Sequence, residues 1–146
     1  LSEADILCYN GFCSVHQLFE VSDIDFYRKK FPNIKIVTHP ECKPEVCEAS
    51  DFVGSTAQMM RYIEDLPLSQ PVAVGTEYNL VQRLRKENTY VLSATKPECP
   101  TMNETTLADL HASLLSIKSR EFNNEIIIDE KTAYWARIAL ERMLEL

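Results

Sequence analysis

The sequence predicts an α/β fold, a short parallel sheet between two layers of helices in a three-layer αβα arrangement. Three observations point there. Four short apolar runs, "IKIVTH" (34–39), "DFVGS" (51–55), "PVAVGTE" (71–77) and "TYVLSAT" (89–95), are bounded by turn residues and read as strands. Each of the first three is followed by a stretch with helical spacing, and such alternation makes βαβ units whose strands run parallel. The runs are short and β-branched, as strands covered on both faces are.

Taken in order, the chain opens with the run "ADILCYN" (4–10), which also reads as a strand end, with Cys8 within it as a core residue. In "NGFCSVH" (10–16), Asn10 and Gly11 predict a tight turn that presents Cys13 and His16. Helices are expected at Pro44 to Ser50, at Thr56 to Asp65 behind a Ser55 cap, and at Asn79 to Glu87 behind an Asn79 cap. In the second of these Met59, Met60 and Ile63 lie at helical spacing. Thr105 or Thr106 opens a further helix with Leu107, Leu110, Leu114 and Ile117 on one face. A last helix, "EKTAYWARIALERMLEL", carries Ala133, Ala136, Leu140 and Leu144 on one stripe, with Trp135 expected to pack. His111 reads as structural or solvent-facing, and "EIIID" (125–129) as one further strand.

Composition narrows the class. The 146 residues are 45% hydrophobic and 25% charged, ordinary for a globular chain. Net charge is −7 and the densest basic stretch is only "YRKKF" (27–31), so the stripe that nucleic acid requires is missing. No window approaches the roughly 18–20 apolar residues of a membrane span. The first residues do not read as a secretory signal, and "LSEADIL" reads like the interior of a longer protein. Five cysteines in no CxxC pair are then expected to be free thiols in a reducing cytosol, and the location cytoplasmic.

In an open parallel sheet, ligands bind beyond the carboxyl ends of the strands. The residues expected there are His39, Glu41 and Cys42 after the first strand, and Gly54, Ser55 and Thr56 after the second. Gly75, Thr76 and Glu77 follow the third, and "KPECPTM" with Cys99 follows the fourth. Ser55 and Thr56 at a helix start offer an anion site, or only a plain cap. His39 and Glu41 suit an acid/base pair, or a surface turn closed by Pro40. As zinc ligands, His39, Cys42 and Cys47 have irregular spacing and lack an obvious fourth member. Cys13 and Cys99, in glycine- or proline-bearing loops at strand ends, look like ligands or nucleophiles.

Together and in this order, "NGFCSVH", "HPEC", "DFVGST", "GTE" and "CPTM" resemble the quinolinate synthase family, the iron–sulfur enzymes of NAD biosynthesis, over essentially the whole chain. The resemblance implies a full protein about twice this length, with three similar α/β domains around a pseudo-threefold axis and the active site where they meet. Residues 1–16 would end the second domain, 17–100 form the third, and 101–146 be a mainly helical segment packing on an absent first domain. Each domain would supply one cysteine to a [4Fe–4S] cluster whose fourth iron is open to substrate. The implied reaction condenses iminoaspartate with dihydroxyacetone phosphate to quinolinate, and an enzyme that produces iminoaspartate is a possible partner.

By this resemblance Cys13 and Cys99 match two cluster ligands, the third cysteine lying outside this sequence. His39 and Glu41 match the pair that contacts substrate, with Glu41 the proton-transfer group, while Ser55 and Thr56 match donors to substrate oxygens. Cys42 matches a cysteine the family does not use as a ligand; His16 and Glu77 match motif positions without a firm role. The upstream cysteine, tyrosines and asparagine of the family are absent, so the segment alone is expected to bind no stable cluster and show no activity. Two alternatives stay open on the sequence: a non-catalytic α/β module keeping the anion site, and a cysteine-nucleophile enzyme using Cys13 with His16 or His39.

Overall fold

A computed structural model of the chain describes residues 10–84 and 87–145. Residues 4–9 of the run expected to end a strand, and with them Cys8, lie outside the described residues. The chain divides into two compact units, Leu1–Asn103 and Glu104–Leu146.

The first unit holds four strands, β1 (Lys35–Thr38), β2 (Phe52–Val53), β3 (Val72–Gly75) and β4 (Thr89–Val91). They form one all-parallel sheet in the order β2-β1-β3-β4. Thr38 at the end of β1 stands level with Val53 of β2 and Gly75 of β3, so three strands finish on one rim.

Helices α1 (Val21–Lys30), α2 (Pro44–Glu48), α3 (Thr56–Asp65) and α4 (Tyr78–Arg83) cover the sheet. Two apolar clusters, one for each face, confirm the three layers expected from the sequence. Ile36, Ala73 and Leu92 pack with Phe19, Ile24, Cys42 and Val46, joining α1 and α2 to one face. Val37, Val72 and Val74 pack with Met59, Ile63, Val81 and Leu84, joining α3 and α4 to the other. Neighbouring strand residues point to opposite faces, so a strand apolar at every position can be buried on both sides. Each fully buried Ile or Val contributes roughly 1.5–3 kcal/mol by leaving water.

Several local expectations are corrected. The turn in "NGFCSVH" falls at Ser14–Val15, not at Asn10–Gly11, and leads into a 3₁₀ turn over His16–Leu18. Helix α4 is capped by Glu77, whose carboxylate accepts from the Leu80 N–H at 3.0 Å, and it ends at Arg83, short of Glu87. Asn79 sits inside that helix and directs its amide to Glu77 and Asn103. Helix α1 was not signalled by apolar periodicity; its start is fixed by a capping box between Glu20 and Asp23.

The second unit contains α5 (Leu107–Ser119) and α6 (Glu130–Leu144). Thr106 opens α5 through a capping box with Asp109, and Arg120 closes it at φ 62°, a left-handed C-terminal residue. The "EIIID" run is not a strand: Ile126, Ile127 and Ile128 are exposed and pair with no strand among the described residues. The apolar stripe of α5, Leu107, Leu110, Leu114 and Ile117, is exposed, as are Leu140, Leu144 and Trp135 of α6, so Trp135 does not pack into a core in this chain. Its only ring neighbour among the described residues is the adjacent Tyr134. His111 is exposed, as anticipated.

Candidate functional site

The strand order puts the topological switch point between β1 and β3. From β1 the chain turns outward to β2, then crosses back to β3 on the other side. The crevice beyond the carboxyl ends of such a strand pair is where open α/β sheets hold ligands. His39 and Glu41 leave β1 there, and Thr76 and Glu77 leave β3. Close approach of the strands depends on Gly75, since a Cβ at that position would stand 2.8 Å from the Thr38 methyl and 3.3 Å from Leu92.

One side chain ties the crevice together, and it comes from outside the sheet. His16 is nearly buried and uses both ring nitrogens. Nδ1 lies 2.8 Å from Glu41 Oε2 and Nε2 lies 3.1 Å from Thr76 Oγ1. A carboxylate can only accept, which puts the proton on Nδ1 and leaves Nε2 to accept from the threonine hydroxyl. The ring also stacks on His39, with centroids 4.3 Å apart and planes 4° from parallel. Gln17 adds a second tie, donating to the Glu41 carbonyl at 3.1 Å.

His39 is held neutral. Burial and the neighbouring His16 lower its pKa below the ordinary imidazole value, only partly opposed by Glu41. Its Nδ1 accepts the Glu41 backbone N–H at 3.3 Å, so the ring proton sits on Nε2 as a donor. Glu41 itself keeps a side chain more than half exposed, its carboxylate free to meet a ligand while one oxygen is gripped by His16. A recess of about 400 Å³ lies against it, lined by Gly11, Phe12, Cys13, Gln17 and Glu41.

The sulfur, imidazole and carboxylate ligand atoms of Cys13, His16 and Glu41 lie within 4.8 Å of one another. Cys42, two positions after Pro40, behaves differently. It is 5% exposed, directs its thiol to the Gly75 carbonyl at 3.6 Å, and is pushed up to about 12 chiefly by burial. A sulfur so protonated and so enclosed is a core group. Cys47 is likewise raised by burial and donates to the His39 carbonyl at 3.6 Å. The zinc set His39, Cys42 and Cys47 gains no support, since the group whose ligand atoms converge among the described residues is Cys13, His16 and Glu41.

Cys99 lies in the loop after β4, which is tied to the start of α4 by the Tyr78 N–H donating to the Pro97 carbonyl and by the Asn79 amide donating to Asn103 Oδ1, while the Asn103 N–H closes the loop on itself by donating to the Cys99 carbonyl. Its sulfur stands 3.2 Å from the Thr101 hydroxyl, and that contact, with the Met102 backbone N–H, lowers the thiol below its ordinary value. The charge of Glu77 works weakly against this lowering.

Ser55 and Thr56 sit where β2 turns into α3. Ser55 forms a capping box with Gln58, accepting its N–H at 3.4 Å while the Ser55 N–H donates to Gln58 Oε1 at 2.8 Å. The cap expected from the sequence is present, and the box takes up the Ser55 N–H that an anion would otherwise meet. The hydroxyl protons of Ser55 and Thr56, both exposed, are the donors the loop presents to a ligand. Gly54 leaves no room for a side chain, with the Phe52 ring 2.7 Å from where its Cβ would be.

The central place of His16 and the part played by Thr76 and Gln17 were missed by sequence reasoning. Their partners are 24 to 60 residues away, and no spacing pattern reports such contacts.

A family model described as "Quinolinate synthetase A protein" matches residues 1–145. A quinolinate synthase from Helicobacter pylori is 49% identical over 150 residues, covering 100% of this chain and 45% of its own length. Those from Bacillus cytotoxicus and Rhodopirellula baltica are 42% and 38% identical, each over 99% of this chain and over 40% and 38% of their own lengths. The chain thus spans less than half the length of the relatives it matches.

Proposed function

Because the chain belongs to the quinolinate synthetase A protein family, we propose that it supplies part of the active site that condenses iminoaspartate with dihydroxyacetone phosphate in NAD biosynthesis. The reaction releases phosphate and two waters to give quinolinate. The observation that carries the proposal is the convergence of Cys13, His16, His39 and Glu41 on the β1–β3 switch point, with Thr76 behind them.

The donors fit an iron–sulfur cluster in part. Cys13 is a partly exposed free thiol beside the crevice, and Cys99 is another whose thiolate is favoured by Thr101. Cys42 is excluded by its burial. These two would be cluster ligands, with the third cysteine supplied from outside this sequence. A [4Fe–4S] cluster held by three thiolates supplies an open iron that acts as a Lewis acid toward a substrate oxygen.

The remaining work falls to the chain's own side chains. Glu41 is the proton-transfer group: its exposed oxygen takes a proton from the condensing carbon skeleton, and His16 holds the other oxygen. His39, neutral and protonated at Nε2, donates to a substrate oxygen that gains negative charge. The hydroxyls of Ser55 and Thr56 donate to a substrate carboxylate or phosphate. Free thiols at Cys13, Cys42, Cys47 and Cys99 fit a reducing, cytoplasmic setting, and among the described residues no helix is long and apolar enough to cross a membrane. An enzyme that produces iminoaspartate is the natural partner.

The cysteine-nucleophile alternative has less support, since both ring nitrogens of His16 are taken by Glu41 and Thr76. The full-length protein carrying this segment, reconstituted anaerobically with iron and sulfide, is expected to form quinolinate and show broad visible absorption. Cys13→Ala is expected to abolish both. Iron-independent turnover lost on Cys13→Ala would instead establish the nucleophile reading.

A further inference from the structure

We propose that Asn79 and Asn103 form a latch that positions Cys99, fastening the far end of its loop to the same short stretch of chain that holds the near end. The proposal rests on the reading of Cys99 as a cluster ligand and adds the residues that hold it in place. Both asparagines are positioning residues, acting through the path of the loop.

The loop hangs at both ends from three consecutive residues, Glu77, Tyr78 and Asn79, which cap and begin α4. At the near end the Tyr78 N–H donates to the Pro97 carbonyl at 3.0 Å, and the Lys96 ammonium stands 5.0 Å from the centre of the Tyr78 ring. At the far end the Asn79 amide donates to Asn103 Oδ1 at 2.9 Å, and the Asn103 N–H returns to the Cys99 carbonyl at 3.1 Å. Cys99 therefore lies between two points fixed to one support, with only residues 98–102 between Pro97 and Asn103. Within that span Pro100 fixes one more backbone dihedral. A short segment closed at both ends has few conformations left to lose when its sulfur takes up a ligand.

The latch is itself aimed. Asn79 Nδ2 carries two protons, and one goes to Glu77 Oε1 at 3.0 Å, leaving the other for Asn103. Glu77 is buried and its second oxygen accepts the Leu80 N–H at 3.0 Å, so the carboxylate is held at both oxygens. A plain helix cap would end at the Leu80 N–H. Here the capping carboxylate also orients a side chain whose partner is 24 residues away. Asn103 is the last residue of the first compact unit, so the latch closes the Cys99 loop where that unit ends.

The test uses the full-length, cluster-loaded protein without oxygen and times the loss of visible absorption after excess EDTA is added. Asn103→Leu removes the acceptor at similar size, whereas Asn103→Asp keeps an oxygen for the Asn79 amide. Asn103→Leu is expected to shorten the half-life of the cluster about three- to tenfold, the range one neutral hydrogen bond supplies. Asn103→Asp is expected to stay within about twofold of the parent. Asn79→Ala is expected to match Asn103→Leu, and the two combined to lose nothing beyond either, because both break one contact. Both asparagines are exposed, so the melting temperature of the cluster-free protein is expected to hold in every variant.

An unchanged half-life in Asn103→Leu, an equal loss in Asn103→Asp, or a fully additive double variant would overturn the proposal. So would a loss that follows a fall in the melting temperature of the cluster-free protein, which would make the pair structural only. Should Asn79→Ala fold poorly, the two Asn103 variants decide the matter between them. A cluster retained in Cys99→Ala would instead break the ligand reading. A cluster lost there but unchanged in every latch variant would sink the latch alone.

Discussion

Two turns of this molecule share the tripeptide Pro-Glu-Cys and end up with opposite chemistry. Pro40-Glu41-Cys42 follows β1, and Pro97-Glu98-Cys99 follows β4. In the first, the cysteine is buried with α2 over it, its thiol pushed up to about 12, while the glutamate is engaged by His16. In the second, the glutamate is exposed and the cysteine is partly exposed, with its thiol lowered by the Thr101 hydroxyl. The difference lies in the residues C-terminal to each tripeptide. Lys43-Pro44 starts a helix that carries Val46 and Cys47 back over Cys42, whereas Pro100 leads into a loop that turns Thr101 onto the sulfur. The tripeptide fixes nothing; the packing around it decides which member is available.

The strongest way to break this contrast is at the two sulfurs. In the full-length protein, Cys99→Ala is expected to abolish the visible absorption of the reconstituted cluster. Cys42→Ala is expected to leave that absorption in place and cost about 1–3 kcal/mol of stability, measured by denaturant unfolding, as the loss of a core side chain does. A cluster that survives Cys99→Ala but not Cys42→Ala would reverse the assignment of the two turns.

The two glutamates give the next test, on activity rather than assembly. Glu41→Gln keeps an oxygen for His16 to grip but removes the proton acceptor, and kcat for quinolinate formation is expected to fall about 10²–10⁴-fold. Glu98→Gln is expected to change kcat by less than about twofold, since Glu98 is exposed and its backbone N–H bonds back to the Lys96 carbonyl. Comparable losses at both positions would mean that the second turn also meets the substrate.

How much of the molecule was legible in its sequence depends on the range of the interactions. The four strands, their parallel direction, the two helix layers and the span of α3 were all readable, because apolar runs and caps are local signals. The β-branched "EIIID" run misled, since a strand exists only where a neighbour completes its hydrogen bonds. Helix α1 escaped because its polar and apolar residues do not segregate, with Ile24 its only buried member. At the site, His39 and Glu41 were legible as a pair two apart, but the ring that joins them was not. His16 lies 25 residues from Glu41 and 60 from Thr76, and only the folded sheet brings the three together.

The finest distinction between the two turns rests on one hydroxyl, and it has the smallest expected effect. Thr101 stabilises the Cys99 thiolate by donating to sulfur, and a thiolate is the form that iron takes up. A lowered thiol pKa means that Cys99 loses its proton at lower pH than an ordinary cysteine, whereas Cys42 keeps its proton until about pH 12. In the cluster-free full-length protein, alkylation by iodoacetamide, read by peptide mass spectrometry across a pH series, is therefore expected to label Cys99 with a midpoint below the ordinary thiol value. Cys42 should stay unlabelled over the same range. Thr101→Val removes the donor at nearly constant shape, and the Cys99 midpoint is then expected to move up, slowing labelling at neutral pH by less than about tenfold. An unchanged midpoint would assign the lowering to the backbone N–H of Met102 alone. The contrast between the turns would then reside in backbone path rather than in the side chain after Pro100.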